Sequence, residues 1–215
     1  INFRYHGKDK LSFWLAQRAD QLAFLTMSGI SYAFENNGAP RIGSVFPGLT
    51  FATDVTAPSA KRSLMWDGTS LQVSATGSIT TGYVPKYNMI VDAIAYAKER
   101  RIKPLMAGGK PYYVMFVAPG TLAALKKDDA YQRAVVAVAT KAGMDSPWFT
   151  GATVTVDGAV IHEHTLVYNT KGAASGSKWG SGGLVNGTRT LLCGAQALGF
   201  ADIGDGNWVE KLFQY

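Results

Sequence analysis

The residues best placed for chemistry are His162, Glu163 and His164. On a strand, side chains two apart share a face, so His162 and His164 would offer two ring nitrogens to one metal ion, with Asp157 or His6 as a third ligand. A metal-dependent hydrolase would need such a set. Two histidines at the edge of a Thr/Val hairpin are more often solvated strand residues, and the spacing is not one of the recurrent zinc motifs. Cys193 sits in the apolar run Thr190-Leu-Leu-Cys-Gly194, a poor setting for a nucleophilic thiolate. The run from Lys171 to Lys178 resembles a phosphate loop only in composition, because it lacks the Gly-Lys-Ser/Thr ending ahead of a helix. There is no Gly-x-Ser-x-Gly elbow and no dinucleotide fingerprint. No residue is therefore assigned to catalysis, to a cofactor or to a metal. A soluble binding module is the third reading, favoured by a monomeric state.

Composition alone does not choose between a self-associating protein and a glycine-rich β protein. Of 215 residues 47% are hydrophobic and only 17% charged, with 24 glycines, ten tyrosines and ten phenylalanines. Such a chain can bury a core, and its low charge with many aromatics suits a protein that buries surface against copies of itself, although a glycine-rich β protein shows the same balance. The net charge of +6 favours a polyanion. The 21 Lys and Arg are spread without a dense cluster, so the pull is weak and independent of base sequence. The single cysteine, Cys193, excludes an intrachain disulfide and implies a reducing place of folding. No apolar run approaches the roughly 20 residues of a membrane span. A chain that begins at Ile1 is expected to be processed or excerpted from a longer protein.

The elements that would position these residues follow from spacing. Lys8 to Ser28 reads as a long amphipathic helix with a stripe of Leu11, Trp14, Leu15, Leu22 and Leu25, Asp9 as its cap and Gly29 as its stop. At 1.5 Å per residue it would run roughly 30 Å. Residues 1–7 alternate like the end of a strand. Residues 30–85 are rich in Gly, Pro, Ser and Thr and are expected to be irregular, with at most short strands. A helix begins at Tyr87 on Ile90, Val91, Ile94 and Ala97, with Lys98, Arg100, Arg101 and Lys103 at its negative end and Pro104 ending it. Residues 112–118 form an unbroken apolar run, a strand buried on both faces and central to a sheet. Pro119-Gly120 leads into a short helix, and Asp128 or Asp129 caps another through Ala142. Residues 153–164 read as a hairpin turning at Asp157-Gly158. Residues 171–183 are expected to be a flexible exposed loop, and residues 190–200 a returning strand.

Lys8-Asp-Lys-Leu11 with Trp14, Arg18, Asp20, Phe24 and Gly29, then Tyr113-Val-Met-Phe116 with Pro119, then Pro147-Trp-Phe-Thr-Gly-Ala152, Asp157-Gly-Ala-Val-Ile-His-Glu163 and Leu192-Cys-Gly-Ala-Gln-Ala197 occur in this order. The ordered set resembles a group of major capsid proteins of tailed bacteriophages, shell proteins with the Hong Kong 97 type fold. The resemblance runs from Lys8 to about Ala201. It implies an α+β fold in which residues 1–7 are the returning strand of an extended loop, 8–85 a peripheral domain with a spine helix at 8–28, 86–200 an axial domain, and 201–215 a return towards the peripheral domain. It further implies self-assembly into pentamers and hexamers of an icosahedral shell around packaged double-stranded DNA, with a portal and scaffolding or cement proteins as partners and no membrane. The place would be the virion capsid, assembled in the host bacterial cytoplasm, with no enzymatic activity and no cofactor.

Overall fold

Helix α1 runs over Phe3–Ser28 without a proline to break it. A computed structural model provides the coordinates and describes residues 3–41, 50–51, 53, 55, 58–139, 154–156 and 158–198. Residues 3–7, expected as strand, are helical, because so short an alternation specifies a strand only when a partner lies beside it. Asp9 is consequently inside the helix, where its carbonyl accepts the Ser12 hydroxyl at 2.9 Å, and it caps nothing. The other end is as expected. Gly29 sits at φ +65°, its amide reaching Thr26 O and that of Ile30 reaching Leu25 O, each at 3.0 Å, which closes the helix with paired backbone bonds.

The expected apolar stripe divides in two. Of its residues Leu25 is 0% exposed and Leu22 half-buried, with Phe24 beside them at 6%, whereas Leu11, Trp14 and Leu15 are 65%, 42% and 62% exposed. Only the carboxyl-terminal half of α1 has a partner layer among the described residues.

Among the described residues between α1 and the next helix, regular structure is confined to short elements, as composition predicts. Strands β1 (Leu64–Trp66) and β2 (Leu71–Val73) form a small antiparallel hairpin. Asp67 shapes its turn by accepting the amides of Ser70 and Thr69, each at 2.7 Å, and these bonds hold its carboxyl below the usual range.

Helix α2 (Tyr87–Glu99) buries Met89, Ile90, Ile94 and Ala97. It stops five residues before Pro104, because Arg101 adopts φ +54° and the amides of Arg101 and Ile102 return to Lys98 O and Ala97 O. Strands β3 (Leu105–Ala107) and β4 (Lys110–Val117) pair antiparallel. Pro119 then opens α3 (Pro119–Lys126), and α4 (Asp129–Ala139) follows; residues 140–142 of the expected run lie outside the described residues. Strands β5 (Val154–Val156) and β6 (Ala159–Glu163) make the expected hairpin, with Val156 opposite Ala159 and Gly158 at φ +86°. The returning strand is shorter than expected, β7 (Leu191–Cys193).

The main sheet has the order β3-β4-β6-β5, with β7 also on β4. Strand β4 is its centre, parallel to β6 and antiparallel to β7. Tyr113, Met115 and Val117 alternate with Val114 and Phe116, so the two sets take opposite faces. The first set joins Ala159, Ile161, Ile90, Ile94, Leu125, Tyr131 and Val135 in the larger core under α2, α3 and α4. Phe116 on the other face packs with Phe24, Met27, Ala118 and Val167, where α1 lies.

Residues 171–183 are more structured than their small side chains predict. Gly172 N reaches Asn37 O at 2.8 Å, Gly180 N reaches Thr76 O at 2.9 Å, and Trp179 and Val185 exchange backbone bonds. Composition alone reads glycines as freedom. Here they permit close backbone approach, as at Gly183, which lies against the Gly176 backbone.

Candidate functional site

Strand β6 carries His162, His164 follows directly after its last residue Glu163, and the fold uses both for packing. His164 lies flat on Phe24 of α1, centroids 4.5 Å apart at 22°, and its Nδ1 accepts the Leu166 amide at 3.2 Å. That lone pair is unavailable to a metal. His162 meets the Phe116 edge at 5.6 Å and is exposed, with the two imidazole centroids 6.1 Å apart. Burial, and then the neighbouring His162, push the His164 pKa down, with Asp20 of α1 acting in the opposite direction. Among the described residues no group of three His, Cys, Asp or Glu side chains could hold a metal. The side chains of His6 and Asp157 lie outside the described residues. Cys193 is half-buried on β7, and burial pushes its thiol up, away from the nucleophilic thiolate.

What these residues build is a joint between α1 and the sheet. Phe24 stands edge-on to Phe116 at 5.5 Å. Asn36 donates through Nδ2 to Leu166 O at 2.7 Å and to Gln21 O at 3.3 Å, tying the turn after α1 to both layers. Arg189 donates to Ser28 O at the carboxyl end of α1, where a cation suits the helix dipole, and its guanidinium lies 6.0 Å from the Trp179 ring centre. Burial pushes the Arg189 pKa down, with Tyr168 opposing. Neither Asn36 nor Arg189 was legible in the sequence, because their partners lie 130 and 161 residues away and leave no local pattern.

Beyond the joint, α1 projects an apolar face. Leu11, Trp14 and Leu15 share that face and are exposed, Phe13 is exposed on another side of the helix, and the Arg18 guanidinium lies 5.5 Å from the Trp14 ring centre. Contiguous exposed apolar side chains of this size mark a surface that associates with something else. No described helix is long and apolar enough to cross a membrane.

The major capsid protein of Pseudomonas phage KPP25 is 50% identical over 219 aligned positions, covering 100% of this chain and 58% of that protein. The capsid of Ralstonia phage GP4 superposes with a TM-score of 0.67 at 22% identity, over 90% of this chain and 52% of that one. The capsid of cyanophage Pam1 superposes with a TM-score of 0.61 at 16% identity, over 91% and 55%. These two likenesses are of fold, and the chain spans little more than half the length of each relative. The family model described as phage capsid protein matches residues 1–213, and the chain belongs to that family.

Proposed function

We propose that this chain is the greater part of a major capsid protein, and that its work is association rather than catalysis. The observation that carries the reading is the 50% identity to a major capsid protein across the whole chain. In this reading the fold is of the Hong Kong 97 type. Helix α1 is the spine of a peripheral domain reaching to residue 85, residues 86–200 form the axial domain, and residues 201–215 return towards the periphery. The subunits assemble into pentamers and hexamers of an icosahedral shell in the cytoplasm of the host bacterium. Inside lies double-stranded DNA, with a portal and scaffolding or cement proteins completing the virion. The exposed Leu11, Trp14 and Leu15 support this reading, since an isolated subunit gains nothing from leaving them in water. Electron microscopy of the expressed full-length protein tests it. Capsomers and closed shells are expected; isolated particles of a few nanometres at every protein concentration would contradict it.

A further inference from the structure

The four cations at the end of α2 look, in sequence, like an ordinary response to the helix dipole. The fold alters that reading in two ways. First, the last carbonyls of α2 are already satisfied by backbone amides, those of Arg100, Arg101 and Ile102 returning to Tyr96 O, Lys98 O and Ala97 O at 3.0 Å. The cationic side chains are not needed there as hydrogen-bonding caps. Second, the Tyr96 hydroxyl donates to Lys61 O at 2.8 Å, which brings a segment 35 residues away, with its own Lys61 and Arg62, against the same end of the helix.

Lys61, Arg62, Lys98, Arg100, Arg101 and Lys103 are all exposed. They are six of the 21 Lys and Arg, and Glu99 is the one carboxylate within the 98–103 stretch. Arg100 lies 5.2 Å from the Tyr96 ring centre, which steadies it without neutralising it. Lys98, Arg101 and Lys103 rim an open cleft of ≈ 490 Å³ with apolar walls at Ile102, Pro104 and Pro111. One sign of charge around a low-dielectric concavity concentrates the field and draws in a polyanion.

We infer that this patch is a contact surface for the phosphate backbone of double-stranded DNA, neutral to base sequence. The inference rests on the shell reading for the source of its DNA. Long exposed cations with few fixed hydrogen-bonding groups suit a repeating phosphate backbone, whereas base readout requires side chains held at defined positions. The contacts would be released by salt, each lost phosphate contact lowering the slope of log Kobs against log salt by roughly 0.9.

Unassembled full-length subunits, titrated with a fluorescent random-sequence duplex at several salt concentrations, provide the test. The triple variant K98Q/R101Q/K103Q is expected to bind at least about 10-fold more weakly at low salt, with a slope smaller by roughly 3. K61Q/R62Q should lower the slope by up to about 2 despite its distance in sequence. K171Q/K178Q, in the segment whose backbone is tied to Asn37 and Thr76, should change affinity less than about twofold; circular dichroism melts verify that all variants fold. An unchanged slope in the triple variant, or an equal loss in K171Q/K178Q, overturns the inference. So does polyglutamate binding in preference to the duplex, which would assign the patch to an acidic protein partner. Shells without patch-dependent DNA binding would defeat this inference alone, and patch-dependent binding without shells would defeat the shell reading alone.

Discussion

Asp128 accepts the Tyr87 amide through Oδ2 at 2.9 Å, although the two residues stand 41 apart in the chain. The same oxygen accepts the Tyr131 amide at 3.3 Å, so one carboxylate caps α2 and α4 together. Asp128→Ala leaves both helix starts unsatisfied and should cost about 2–3 kcal/mol, while Asp128→Asn, which keeps an acceptor oxygen, should cost less than half as much. Denaturant unfolding measures both. Equal losses would mean that the charge, rather than the shared cap, matters.

The division of α1 predicts unequal consequences along one helix. Phe24→Ala empties a site 6% exposed and touching Phe116 and His164, and should cost about 3–5 kcal/mol in residues 1–215. Trp14→Ala, at a site 42% exposed, should cost about 1 kcal/mol or less in the same chain. A comparable loss at Trp14 would show that the stripe is buried along its whole length.

Acid should loosen the joint. His164 is held below the ordinary imidazole range by burial and by His162, so as pH falls through about 6.5 the unfolded chain takes up a proton that the folded chain resists. Stability is therefore lost on going down in pH, and above about 6.5 the group is neutral in both states and contributes no dependence. Melting temperatures between pH 7 and pH 5 should fall. His164→Asn, which offers an oxygen to the Leu166 amide and does not titrate, should flatten that fall; an unaltered slope would assign it to other groups.

A Cβ at Gly187 would fall within the Trp179 ring, whereas one at Gly77 meets nothing within 4 Å. Gly187→Ala should displace Trp179 from beside Arg189 and cost about 1–3 kcal/mol by overpacking. Gly77→Ala should stay within about 0.5 kcal/mol. Thermal melts of the two variants compare them directly. Matching melts would mean that the 171–187 region yields freely.

Much of the molecule was written in local pattern. The α1 stop at Gly29, helix α2 from Tyr87, the central strand β4, the Asp128 cap and the β5–β6 turn each depend on residues a few positions apart, within reach of backbone geometry and side-chain periodicity. The ordered motifs likewise carried the family, because they are properties of the string itself. Tertiary structure alone decided how those pieces are used. Periodicity states that one face of α1 is apolar; it does not state that Phe24, Leu25 and Met27 find a partner layer while Leu11 and Leu15 stay exposed. His162 and His164 share a chain segment whether they bind a metal or pack on Phe116 and Phe24, and the difference lies in aromatic rings 46 and 140 positions earlier. Lys61 and Arg62 join the cations of α2 through a single hydroxyl of Tyr96. Contacts between distant segments are set by which surfaces can be buried together, and no window of neighbouring residues holds that information.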